Sequence, residues 1–407
     1  MTGYLNTTRK EECFGCESCV QACALQAIKM YEDEGGFRYP VVDTEVCVQC
    51  GLCSRVCPYE NPPKRSAEHK ETFGGYHKDI EVRGASTSGG AFSAIVDAWC
   101  EDNYVIFGAD ADGLHVYHDY ITDKKELYRF RKSKYSQSVI GTAYQDVKRF
   151  LNEGKHVVFS GTPCQIAGLK VYLQTADITN LLTIEVICEG VPSPLFVRKY
   201  DLHMQQKYGS SIDVLDYRYK VRPLGSPIWK KWDFEVMYTS LRNGKVLKQD
   251  RWFNPFWSIW LQHLMSRPSC YVCPFTTTDR VADITLGDLW GVHIYCPELY
   301  GKNGGSSLIV ANTAKGAAAL DKSKQYLYGH ELDFDTALKY QGPMRKTIAK
   351  NPECDAFMAD LMNLNYKDLC RKWANPPTLK LLWSKYVWGN RQKIFVWNIK
   401  EQFKKKK

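Results

Sequence analysis

Short apolar runs recur through the middle of the chain: YVIFGA over Tyr104–Ala109, HVVFS over His156–Ser160 and LLTIEVIC over Leu181–Cys188. Runs of this length, rich in β-branched and aromatic residues, predict buried strands. Between and around them, Gly90–Glu101, Ala143–Glu153, Gln165–Leu173 and Pro194–Lys207 read as helices. Strands alternating with helices predict an α/β sheet whose strand-end loops carry the chemistry. From Ile212 to Lys248 the pattern turns β-like, with Trp232-Asp233-Phe234-Glu235-Val236 alternating, and the last sixty residues read as mainly helical. Asn61-Pro62-Pro63-Lys64-Arg65-Ser66 reads as a linker, since proline removes donors and stiffens the chain. No segment offers the ~18 uninterrupted apolar residues of a membrane span.

Eight of the sixteen cysteines precede that linker in two runs, Cys13, Cys16, Cys19, Cys23 and Cys47, Cys50, Cys53, Cys57, with Pro58 following. Both runs have the spacing Cys-x2-Cys-x2-Cys-x3-Cys, the ligand pattern of a two-cluster bacterial ferredoxin. Three thiolates two residues apart wrap one face of a cubane, and the fourth cysteine crosses to the other cluster. This assigns one 4Fe–4S cluster to Cys13, Cys16, Cys19 and Cys57, and the other to Cys47, Cys50, Cys53 and Cys23. Gly15 and Gly51 fit loops in which the backbone must approach cluster sulfur. Two complete four-cysteine runs argue against a zinc or disulfide framework, and the pattern implies single-electron chemistry.

At 407 residues the chain is long enough for two or three domains. The net charge of +9 is concentrated: residues 376–407 carry nine Lys/Arg against Glu401, which is +8 and leaves +1 for the remainder. Basicity therefore belongs to a tail, and nucleic acid is not an expected partner. The start has no apolar signal-like run, so cysteine richness predicts a reducing cytoplasm and metal ligation.

Four later cysteines occupy unusual settings. Cys164 follows a strand in Gly161-Thr162-Pro163-Cys164-Gln165, Cys188 ends another, and Cys270 and Cys273 form a Cys-x2-Cys pair before Pro274. Strand ends converge on one edge of an α/β fold, so a four-thiolate site is sterically reasonable. Ordinary buried cysteine remains the competing reading on spacing alone. Cys100, Cys296, Cys354 and Cys370 read as ordinary core residues. Ser86-Thr87-Ser88-Gly89-Gly90 opens a helix and reads either as a phosphate-binding turn or as a plain cap.

Five segments, in order, resemble the coenzyme F420 hydrogenase/dehydrogenase beta-subunit family: Ser86–Gly90, Lys134-Tyr135-Ser136-Gln137-Ser138, Gly161–Gln165, Cys188-Glu189-Gly190-Val191-Pro192-Ser193, and Arg280–Gly291 with its Gly287-Asp288-Leu289-Trp290. The resemblance runs from about Thr72 to Val310. It implies FAD held beside an iron–sulfur cluster, and Cys164, Cys188, Cys270 and Cys273 as ligands of a third 4Fe–4S cluster. It further implies FAD contacts at Ser86, Thr87, Ser88, Gly89 and Gly90, and at Lys134, Ser136, Gln137 and Ser138. The competing reading of the second group is a solvated polar loop. Asp288 is a candidate for orienting flavin or substrate, Arg280 for pairing with a carboxylate or phosphate, and His77 and His293 for proton donation; each has a purely structural alternative. No GxGxxG follows the first strand, so NAD(P)H is not expected as direct donor.

The expected architecture is therefore α+β followed by α/β: a bacterial-ferredoxin-like domain (1–62), a mixed α/β FAD- and iron–sulfur-binding domain (72–345) and a mainly helical basic–aromatic tail (346–407). The expected function is an iron–sulfur flavoprotein oxidoreductase passing electrons from a donor such as reduced ferredoxin to FAD and then to a small organic acceptor. Its rival is an electron-transfer subunit of a larger hydrogenase- or dehydrogenase-type complex. Residues 1–60 hold nine Asp/Glu and five Lys/Arg, so an acidic ferredoxin needs a local basic patch in order to dock. The tail mixes Trp383, Trp397 and Phe403 with lysines and suits peripheral contact with anionic lipid; a helix packed on the body is favoured instead, because no clean apolar face persists past Gly389. Some members resembling this chain accompany bacterial surface-polysaccharide synthesis, which would suit a membrane-adjacent place.

Overall fold

The computed structural model describes residues 3–66, 69–221, 235–299 and 304–389, with Gln392, Val396, Ile399 and Phe403. The N-terminal unit carries two strands, β1 (Ile28–Glu32) and β2 (Arg38–Val42), paired antiparallel between the two cysteine loops. Gly15 and Gly51 both take positive φ, 65° and 73°, as tight turns around a bound group require.

The body begins with β3 (Glu71–His77), β4 (Tyr104–Asp112), β5 (His115–Ile121), β6 (His156–Gly161) and β7 (Leu181–Val186). It continues with β8 (Ile212–Lys220), β9 (Glu235–Leu241), β10 (Val246–Asp250), β11 (Ile284–Asp288), β12 (Ser307–Ala311) and β13 (Leu327–Leu332). Eight of these form one sheet in the order β13-β3-β12-β11-β7-β6-β4-β5. The central β11, β7, β6 and β4 are parallel, which is why they read as continuous apolar runs. One face packs on helices Ala91–Trp99 and Ala314–Ser323 through Ala94, Ile95 and Leu320. The other packs on helices Ala143–Asn152 and Pro163–Tyr172 through Tyr144, Val147 and Ile166. Each fully buried large apolar side chain contributes roughly 1.5–3 kcal/mol. Phe14 of the first cysteine loop sits in this second core.

A three-stranded sheet, β10-β9-β8, backs the helices Pro194–Tyr208 and Pro255–Trp260. Phe196, Tyr200 and Phe256 there share a core with Phe357, Leu361, Tyr366 and Leu369. Helices Cys354–Asn363 and Tyr366–Trp373 thus pack into the body instead of forming a tail. Beyond the Pro376-Pro377 break, helix Leu379–Tyr386 leaves Leu379 85 % and Trp383 60 % exposed, while the Tyr386 ring meets that of Phe253 at 6.3 Å. Trp232, Asp233 and Phe234 of the alternating segment lie outside the described residues. No helix among the described residues is long and apolar enough to cross a membrane.

Candidate functional site

None of the sixteen cysteines forms a disulfide. In the N-terminal unit, burial pushes the Cys16 and Cys19 thiols up, and the neighbouring Cys13 and Cys57 push further. Cys57 therefore sits with the first run. Cys47 and Cys50 act on Cys53. Backbone N–H groups already point at sulfur: Gly15 donates to Cys13 Sγ at 3.4 Å and Ala27 to Cys23 Sγ at 3.3 Å. Soft thiols gathered with amide donors are the donor set of an iron–sulfur cluster, and binding must displace their protons.

The later four cysteines are also brought together. Cys164 is the second residue of its helix, not a loop residue, and Cys188 lies two residues beyond β7. With Cys270 on the short helix Pro268–Tyr271 and Cys273 just after it, they line one buried cavity. Burial, then the other thiols, pushes Cys188 well up; Cys270 rises to about 12 and Cys164 to about 11, both chiefly by burial. Four thiols from three stretches of chain lining one cavity are a donor set that fits an iron–sulfur cluster. Arg280 lines this cavity too. It pairs with the Glu185 carboxylate and donates to Phe275 O at 2.8 Å and Thr277 O at 2.9 Å.

Arg267 joins the first and third nests. This wholly buried guanidinium donates to Cys13 O at 2.9 Å, Arg38 O at 3.0 Å and Gln137 Oε1 at 3.2 Å. Its NH2 nitrogen lies 3.5 Å from Cys13 Sγ, and Arg267 also lines the cavity of the later four cysteines. Gln137 Nε2 donates to Phe14 O at 2.7 Å. Gly168, one turn after Cys164, allows the contact: a Cβ there would lie 3.0 Å from Cys16 Sγ. Sequence reasoning missed Arg267, Gly168 and Glu185. The available signals were the Arg-Pro-Ser-Cys step, the Cys164-to-Gly168 spacing and an acid inside an apolar run.

The strand directions set the rest. β3, β11, β7 and β6 all end at one edge of the sheet, which carries His77, Asp288, Cys188 and Cys164. Adjacent strands lie about 4.8 Å apart, so Asp288 stands about one strand from the Cys188 strand. Burial works to raise Asp288, but the Arg218 guanidinium, the Ser88 hydroxyl and Lys220 outweigh it and hold the carboxyl below its usual range. Ser88 Oγ donates to Ser306 O at 2.7 Å, Gly89 N–H to Ser307 Oγ at 2.8 Å, and Ser133 N–H to Thr87 Oγ1 at 2.8 Å. Ser86 Oγ is turned back on Val82 O at 2.8 Å. Gly90 enters the helix Ala91–Trp99 at φ 92° with no side-chain cap on the helix amides. Near this turn Arg131 Nε donates to Ser93 Oγ at 3.1 Å, Lys132 pairs with Asp216, Arg218 pairs with Asp288, and Lys220 Nζ donates to Arg83 O at 2.9 Å. A helix start with no side-chain cap among such bases suits an anion such as a pyrophosphate.

The second segment behaves differently. Lys134 spends its three N–H bonds on Ala109 O, Arg129 O and Arg131 O at 2.7–3.0 Å, and burial lowers it to about 8. Ser138 Oγ lies 2.8 Å from His118 Nδ1 and accepts from Gln165 Nε2 at 2.9 Å. The side-chain polar atoms of Lys134, Gln137 and Ser138 are thus engaged by protein groups. Ser136 lines a cleft with Gly36 and Arg38. His77 is lowered by burial; its Nδ1 accepts from Asp79 N–H at 3.1 Å, while the buried Nε2 has no partner among the described residues. His293 lies half-buried on the short helix Val292–Tyr295. Among the remaining cysteines, Cys296 Sγ donates to Glu298 Oε1 at 3.0 Å and lies 3.0 Å from His330 Nε2.

Known proteins resemble two parts of the chain. Residues 154–334 match the family described as the C terminus of the coenzyme F420 hydrogenase/dehydrogenase beta subunit, and residues 12–61 match the 4Fe-4S dicluster domain. A 62-residue stretch is 39 % identical to a subunit of tetrathionate reductase from Archaeoglobus fulgidus, covering 14 % of this chain and 28 % of that protein. The chain thus spans little more than a quarter of that relative. A chain of the F420-reducing [NiFe] hydrogenase complex of Methanosarcina barkeri superposes with a TM-score of 0.43 at 15 % identity, over 75 % of this chain and 90 % of that one.

Proposed function

We propose, for a chain that belongs over residues 154–334 to the coenzyme F420 hydrogenase/dehydrogenase beta-subunit family and over residues 12–61 to the 4Fe-4S dicluster family, an iron–sulfur flavoprotein oxidoreductase. It accepts single electrons from a donor protein such as reduced ferredoxin and delivers two to a small organic acceptor. When bound, 4Fe–4S clusters in three cysteine nests supply one-electron carriage, and FAD supplies the change from one- to two-electron chemistry.

The observation that carries this reading is the continuity of the site. Arg267 touches the first nest and lines the cavity of the third, and the third shares a sheet edge with Asp288 and His77. Arg267 and Gln137 hold the Cys13 loop in place. Arg218 and Lys220 keep Asp288 ionised beside the Ser88 turn. His77, its Nδ1 committed to Asp79 N–H, holds its proton at Nε2.

The test is anaerobic purification of the chain alone, with cofactor content measured and reduced ferredoxin supplied. Bound FAD that is reduced by ferredoxin supports the proposal. Clusters that accept electrons in a protein devoid of flavin make the chain an electron-transfer subunit and refute the flavoprotein reading.

A further inference from the structure

The N-terminal unit poses an electrostatic problem for the proposed donor. Nine acids face five bases over residues 1–60, so an acidic ferredoxin should be repelled from most of its surface. The repulsion is relieved at one place. Three of the five bases are neutralised: Arg9 by Glu12, Lys10 by Asp33 and Glu34, and Arg38 by Glu17. The other two, Lys29 and Arg55, are exposed and have no ion pair among the described residues.

Both line one open cleft, and Lys148 of the body lines it from the opposite wall, likewise exposed and unpaired among the described residues. The cleft lining contains no Asp or Glu among the described residues, and its volume is about 840 Å³. Cys23 lies in its wall. Cys23 is the residue whose spacing assigns it to the Cys47 nest, the nest remote from Arg267.

We propose that this cleft is the docking site of an acidic single-electron carrier protein, which delivers its electron to the cluster held by Cys23, Cys47, Cys50 and Cys53. The inference rests on the function proposed above and names the surface that serves it. Converging like charges in a concave, partly walled surface focus the field and raise the encounter rate of an oppositely charged partner, typically by about 10- to 1,000-fold at low salt. In the transfer the carrier loses one electron and the receiving cluster gains one. No proton or group moves.

The test uses anaerobic full-length protein and a purified acidic bacterial two-cluster ferredoxin, reduced beforehand, in stopped flow. The comparison is with the triple variant Lys29→Glu, Arg55→Glu, Lys148→Glu. All three side chains are exposed, so folding should survive, and iron content together with reduction by dithionite monitors this. The expected result is a second-order rate lower by roughly tenfold or more in the variant at low ionic strength, a gap that closes as salt is raised, and unchanged reduction by dithionite. Equal ferredoxin rates in the two proteins overturn the cleft assignment and leave the donor intact. A wild-type protein that dithionite reduces but ferredoxin does not overturns the donor as well.

Discussion

Replacing Arg267 with Met removes a buried positive charge whose nearest nitrogen lies 3.5 Å from Cys13 Sγ. Two unit charges at that distance interact by roughly 5 kcal/mol at an effective dielectric constant of about 20. An added electron spreads over a whole cluster, so about a quarter to a half of that is felt, roughly 1–2.5 kcal/mol. For a one-electron couple this is about 50–100 mV. The sign is fixed: without the guanidinium the reduced cluster is less stabilised and its potential falls. A lysine substituted here keeps the charge but not the hydrogen bonds to Cys13 O, Arg38 O and Gln137 Oε1, so Arg267→Lys should recover most of the potential. The assay is an anaerobic redox titration followed by electron paramagnetic resonance on each variant, accepting only samples with wild-type iron content. A separate Cys164→Ser background removes the third nest's signal, and Cys50→Ser added to it removes the second's, which leaves the first. Potentials within about 20 mV of wild type in Arg267→Met, well under the shift expected for a one-electron couple, would refute the claim that this side chain sets the first nest's electrostatics.

Three further outcomes are expected. His118 is held to about 4 by burial, whereas unfolded histidine titrates near 6.5. The unfolded chain therefore binds the proton first, so about 3 kcal/mol present above pH ~6.5 is lost as pH falls toward about 4, and denaturant midpoints in His118→Asn should lose that acid step. Glu185→Ala leaves Arg280 buried and unpaired and should cost about 3–5 kcal/mol in urea unfolding. Gly168→Ala gains about 1 kcal/mol of helix propensity, but its Cβ meets the Cys16 side chain and Tyr144 OH at 3.0 Å. Overpacking of about 1–3 kcal/mol should prevail, read as lowered iron content and a lower melting temperature.

The cysteine runs were legible because a cubane imposes a local spacing, and the parallel strands because burial on both faces leaves uninterrupted apolar runs. The pairing of Cys164 and Cys188 with Cys270 and Cys273 joins residues far apart along the chain, and spacing could raise it only as one option beside ordinary burial. Lys134 shows the limit in the other direction. Its polar neighbours read as a ligand loop, yet three backbone carbonyls of its own surroundings take the ammonium. Arg267 was missed because a single arginine carries no periodicity and its one local signal was the Arg-Pro-Ser-Cys step; the packing of the N-terminal unit on the body reveals its two-sided contact. The tail was legible only in part: its apolar positions keep no clean face past Gly389, and beyond the Pro376-Pro377 step helix Leu379–Tyr386 sets Tyr386 against Phe253 while Leu379 and Trp383 stay exposed among the described residues.

Three sulfur nests in one chain remain the central claim, and counting metal tests it most directly. Anaerobically purified wild-type protein should contain about twelve irons and about twelve acid-labile sulfides per chain, four of each per nest, and Cys164→Ser, or Cys270→Ser, should fall to about eight. About eight irons in wild type, unchanged by either substitution, would contradict the third nest and with it the electron path that ends beside Asp288.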